Sequence, residues 1–144
     1  MFQATARILT LLLPIPLLLS ACGKDPLGPD NRMALMALGE CRHNQALLLT
    51  DNALARGSEP NQMQALLLKA AILRDRGDDA AAEALYPRID DTWQAVKRRA
   101  LTPERREHDI QRLIDVARDE RRTRGMDPGC ADTPPAPQPP AAAQ

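Results

Sequence analysis

Apolar positions recur at helical rather than strand spacing from about residue 30 to residue 126. No run of alternating β-branched residues interrupts the pattern, and Ala, Leu, Arg, Glu and Gln, all good helix formers, dominate it. Four helices are predicted. The first runs from about Asn31 to Arg56, with Asp30 as its N-cap and Gly57 as its stop. The second runs from about Pro60 to Arg76, entered through Ser58 and closed by Gly77. The third starts after Asp78 and places Ala81, Leu85, Ile89 and Val96 near one face. Pro87 lacks a backbone donor, so a kink or break is expected near Tyr86. The fourth has the clearest start: Thr102, Pro103 and Glu104 supply a cap, an N1 proline and a first-turn acid in order. Its apolar stripe is Ile110, Leu113, Ile114 and Ala117, and Gly125 ends it. Short connections imply antiparallel neighbours around one core. The expected fold class is therefore all-α, a small antiparallel bundle of about four helices over residues 30–130.

The chain outside that span has a different texture. After Arg7, an apolar run from Ile8 to Leu19 is broken only by Thr10, Pro14 and Pro16. As a helix it would cover roughly 18 Å, well short of a hydrocarbon core about 30 Å thick. It fits the hydrophobic segment of a secretory leader better than a permanent span. Residues 22–29 are rich in Gly and Pro and read as a tether. Residues 131–144 are mostly Pro and Ala, a composition that cannot build a core, and a disordered tail is expected there.

The apolar run ends in Leu19-Ser20-Ala21-Cys22, which resembles the lipobox of bacterial lipoproteins. Small residues at Ser20 and Ala21 suit entry of the backbone into a peptidase site, and Cys22 supplies the thiol that takes the lipid. The resemblance implies that residues 1–21 are a removed signal peptide, with a diacylglyceryl thioether on Cys22 and an acylated new amino terminus. Two or three acyl chains exceed the single-chain affinity that leaves a protein marginally bound. Gly23, rather than an aspartate, follows the cysteine. By the sorting rule of enteric bacteria this implies the outer membrane, facing the periplasm.

Charge and aromatic content narrow the partners. The chain carries 19 basic and 19 acidic side chains, so it has no long-range field to gather nucleic acid. Phe2, Tyr86 and Trp93 are its only aromatics, too few for base stacking. Nucleic acid is excluded as an expected partner, as is a small-molecule substrate. No P-loop, nucleophile elbow or glycine-rich nucleotide fingerprint is present. His43 and His108 lie among polar residues and read as exposed helical side chains, and the pairs Asp78-Asp79 and Asp90-Asp91 sit where helix N-termini favour acids. The expectation is a protein that is not an enzyme, with no cofactor beyond the lipid on Cys22 and no metal.

If lipid consumes Cys22, Cys41 and Cys130 remain to pair in an oxidising compartment. Cys41 falls inside the predicted first helix and Cys130 just past the fourth. A disulfide between them would close a loop of about 90 residues, for which chain entropy gives roughly 4–5 kcal/mol. A redox thiol or a metal site is the alternative. Cys41 and His43 form a C-x-H pair, but side chains two apart in a helix point about 200° apart and cannot share an ion locally.

Leu66, Ala70, Leu73, Gly77, Ala82 and Tyr86 resemble the packing positions of one tetratricopeptide repeat, although Lys69 and Pro87 depart from it and no second copy lies 34 residues away. The resemblance implies a helical hairpin used for protein contact, with Leu66, Leu73, Tyr86 and Trp93 as the expected interaction surface. By architecture alone, four helices with a Cys41–Cys130 bond resemble pilotins, lipoproteins that escort secretin subunits to the outer membrane. The function this implies is a lipid-anchored, periplasmic helical protein-binding module, an accessory or assembly factor for an envelope complex, whose partner would be another envelope protein. The alternatives are a regulatory lipoprotein that contacts a sensor kinase through the charged fourth helix and the tail and, remotely, an enzyme. The run Arg118–Arg124 at the end of that helix reads as a solvated face with intrahelical ion pairs, with binding to an acidic partner or lipid headgroups as its alternative.

Overall fold

A computed structural model of the chain describes Asp25 and residues 27–131. The leader, Cys22, half of the tether and the proline-rich tail beyond residue 131 lie outside the described residues, and so do the expectations placed on them. Within them all regular structure is helical: α1 Pro29–Gly39, α2 His43–Arg56, α3 Glu59–Asp75, α4 Asp79–Glu83, α5 Tyr86–Lys97 and α6 Pro103–Thr123. The all-α bundle expected from the periodicity is present, with the first and third predicted helices each divided in two. No helix among the described residues is long and apolar enough to cross a membrane.

The division of the first helix corrects the sequence reading. Cys41 is not helical; it adopts φ 59, in the left-handed region. The amide of Cys41 donates to the Leu38 carbonyl at 3.1 Å and that of Arg42 to the Ala37 carbonyl at 2.8 Å. This is the pair of hydrogen bonds of a Schellman cap, with a cysteine where glycine is usual. Gly77 (φ 86) closes α3 in the same way, with Asp78 N–H donating to Leu73 O, and Gly125 (φ 69) closes α6, with Met126 N–H donating to Arg121 O. The chain therefore reverses at residues 40–42, and α1 and α2 form a hairpin rather than one long rod.

The third helix divides where expected. Pro87 lies in the first turn of α5, where its missing N–H costs nothing, and α4 stops at Glu83. The cap of α6 also forms as read, with Thr102 Oγ1 accepting from Arg105 N–H at 3.2 Å. At the start of the domain the buried Asn31 amide donates to the carbonyls of Leu27 and Asn61, at 2.7 and 2.8 Å, tying the end of the tether to α3.

The middle of α3 is apolar nearly all round, and it stands at the centre of the bundle. Leu68 and Ile72 face Ala34, Leu38 and Ala46 of the α1–α2 hairpin, with Ala117 of α6. Leu66, Leu67, Ala70 and Leu73 pack instead with Ala82, Ile89, Trp93, Ile110 and Ile114. A helix buried on several sides is what an all-round apolar sequence requires. Small residues bring the layers close: a Cβ added at Gly39 would stand 3.2 Å from Glu120 Cγ of α6.

Candidate functional site

Two features stand out: a buried polar cluster where three helices end, and an open groove on the opposite part of α6.

The cluster is built on Asp75, the last residue of α3. A carboxylate at a helix C-terminus is opposed by the helix dipole and needs compensation. Arg121 provides it from α6, one N–H donating to Asp75 Oδ2 at 2.5 Å and another to Oδ1 at 3.2 Å. The same guanidinium donates to the carbonyl of Leu38, at the end of α1, and to that of Pro128, each at 2.6 Å. Arg118 Nε lies 3.4 Å from Asp75 Oδ1, and His43 Nε2 at the start of α2 meets Oδ2 at 2.9 Å. Burial alone would push the Asp75 carboxyl up; the hydrogen bonds from His43 and Arg121 outweigh it and hold the pKa at about 2. Beside the cluster Cys41 and Cys130 are joined by a disulfide, with their Cα atoms 5.6 Å apart. The bond ties the α1–α2 turn to the segment after α6, as expected, although the first cysteine stands in a turn and not in a helix.

This cluster corrects two expectations. His43 is not a free surface side chain but a half-buried partner of Asp75, whereas His108 is exposed. The run Arg118–Arg124 is not a uniformly solvated face, because Arg121 is fully buried and Arg118 turns toward Asp75. Arg122 pairs with Asp119, and Arg124 with both Glu120 and Glu40. The intrahelical ion pairs expected of this run are thus present on its exposed side, and Arg121 is the residue taken into the interior.

The expected interaction surface also needs correction. Leu66, Leu73 and Trp93 are core residues, 1 %, 7 % and 5 % exposed. Tyr86 is half-buried, with the Arg106 guanidinium 4.1 Å above its ring and Arg74 donating to its hydroxyl at 2.5 Å. Burial, together with the Glu107 carboxylate, pushes the Tyr86 hydroxyl up to about 12. The tetratricopeptide-like positions Leu66, Ala70, Leu73 and Ala82 meet in one cluster, so they hold the α3–α4 hairpin together rather than offering it to a partner.

The surface that is open lies one helical step away. A groove of about 300 Å³ runs between α3, α5 and α6, its floor made by Leu67, Leu113, Val116 and the edge of Trp93. Val116 is 53 % exposed, among the most exposed large apolar side chains of the described residues. Lys97, Arg105 and Arg112 stand around it with one acid, Asp109, which Arg105 already holds at 2.8 Å. Among the described residues no carboxylate lies within ion-pair distance of Lys97 or Arg112. Periodicity marks Leu113 for the core and is silent on Val116, because the groove exists only once α5 has folded across α3.

Comparison with protein-family models, curated proteins and solved structures finds no match.

Proposed function

We propose that this chain is a lipid-anchored, non-enzymatic protein-binding module of the bacterial envelope, an accessory or assembly factor that acts from the outer membrane. The observation that carries the reading is the groove over Leu67, Leu113 and Val116, an apolar floor under a cationic rim. Its charge complements an amphipathic helix of an envelope protein that presents apolar residues on one face and acids beside them. The lipobox at Cys22 supports the location, and the Cys41–Cys130 bond suits an oxidising compartment. The self-neutralised Arg118–Arg124 run favours this face over that one as the contact surface.

The test is genetic and structural together. Deleting the gene should leave an outer-membrane complex mislocalised, and Val116→Asp in an otherwise folded protein should reproduce the defect. Normal assembly of every outer-membrane complex in the deletion strain would overturn the reading. Mass measurement of the mature N-terminus checks the anchor separately: an unlipidated Cys22 removes the location but leaves the groove to be judged on its own.

A further inference from the structure

We propose that Cys41 and Cys130, when their disulfide is reduced, form with His43 a binding site for a thiophilic divalent ion of the Zn²⁺ class. This is independent of the groove and its partner.

The donor atoms of His43, Asp75 and Cys130 all lie within 4.8 Å of one another, and the sulfur of Cys41 is bonded to that of Cys130. Three ligand-type side chains thus converge, from the first turn of α2, the end of α3 and the segment after α6, and the disulfide brings Cys41 of the α1–α2 turn alongside Cys130. Cys41 stands in a left-handed turn and His43 opens α2, so the helical geometry that would splay this C-x-H pair does not apply to it. Two sulfurs and an imidazole are the donor set that Zn²⁺ and Co²⁺ prefer over the hard cations. Asp75 acts on the site through His43. Its carboxylate is held by Arg121 and Arg118, and it meets His43 Nε2 at 2.9 Å. A carboxylate on the imidazole is the contact that fixes ring orientation and tautomer in histidine–zinc sites.

Charge makes the exchange feasible. The disulfide is neutral, and a divalent ion with two thiolates is neutral as well. The buried Arg121–Asp75 pair therefore sees the same local charge in the oxidised and the metal-loaded states. The chemistry balances in two steps. A dithiol reductant gives two electrons and two protons to the S–S bond, leaving two thiols here and a disulfide on the reductant. The ion then displaces the two thiol protons and forms two metal–sulfur bonds. The ion would hold the 126–131 segment against α1 in place of the covalent link.

The full purified protein, reduced with a non-chelating phosphine, is titrated with Co²⁺ and then with Zn²⁺ in competition. One equivalent of Co²⁺ is expected to bind only after reduction, with a sulfur-to-cobalt charge-transfer band that Zn²⁺ abolishes. Zn²⁺ should also raise the melting temperature of the reduced protein. Cys130→Ser should abolish the band, and Asp75→Asn should weaken binding by about 10–100-fold. His43→Ala, at a half-buried position, should weaken binding at least as much while leaving the helical circular dichroism intact. This variant keeps the test decisive if the others fail to fold. Reduced protein that takes up no cobalt, binding without the sulfur band, or equal binding by oxidised protein would each overturn the proposal.

Discussion

Arg121 and Asp75, 46 residues apart in sequence, form an ion pair whose side chains are 0 % and 1 % exposed. Such a pair is weak evidence for stability by itself, because desolvation offsets much of the attraction. Removing one member is another matter, since it strands the other charge in the interior. Arg121→Met should therefore destabilise the fold by about 3–5 kcal/mol in urea unfolding. It also orphans the carbonyls of Leu38 and Pro128, so adding Asp75→Leu should recover only part of the loss. A loss below about 1 kcal/mol for Arg121→Met would show that the cluster does not hold the helix ends together.

Acid should expose the same cluster. The Asp75 pKa is about 2 in the fold against an ordinary 3.8, so the ionised carboxylate is the form the folded state prefers. A depressed carboxyl contributes stability that is fully present above its unfolded pKa and is lost as pH falls through the folded one. The window is thus roughly pH 4 to pH 2, and the contribution is on the order of 2 kcal/mol. Unfolding free energies measured from pH 6 to pH 2 should fall more steeply for the wild type than for Asp75→Asn across that window. Parallel curves would remove Asp75 as a source of the acid sensitivity.

The disulfide joins Cys41 and Cys130 across a sequence separation of 89. Chain entropy assigns such a link about 4–5 kcal/mol, a large part of the stability of a small domain. Reduction, or the double change Cys41→Ser and Cys130→Ser, should lower the melting temperature steeply while the remaining helices still show helical circular dichroism in the cold. A double variant that melts with the wild type would place the stability in the α3 core alone.

What could be read from the sequence, and what could not, follows the range of the interactions. The caps at Thr102 and Gly77 and the break before Pro87 depend on residues within a few positions, and they appear as expected. The reversal at Cys41 did not show, because a left-handed cap is expected at Gly or Asn, and Cys carries no such signal. His43 and Arg121 looked like surface residues because their partner, Asp75, is brought to them only by the packing of α3 against α2 and α6. Leu66, Leu73 and Trp93 read as a surface from the sequence because one strip of helix cannot say whether its apolar face meets the same chain or another. In this bundle α3 is enclosed by the others, and its apolar residues are used up within the fold.

That distinction separates two apolar positions by experiment. Leu66 is 1 % exposed in the core around α3, whereas Val116 is 53 % exposed on the groove floor. Leu66→Ala should cost about 2–5 kcal/mol, for lost burial and the cavity left behind. Val116→Ala should change stability by no more than about 0.5 kcal/mol, since it removes little that the folded chain covers. The order should reverse in partner binding. Val116→Asp places a carboxylate on the groove floor, repelling an acidic helix directly, and should abolish site-specific crosslinking of the partner from position 113 at full folded stability. Lys97→Glu and Arg112→Glu, which invert the rim without touching the floor, should weaken the same crosslink and make its residue less sensitive to salt. Crosslinking that survives all three changes would place the partner on another face of the bundle.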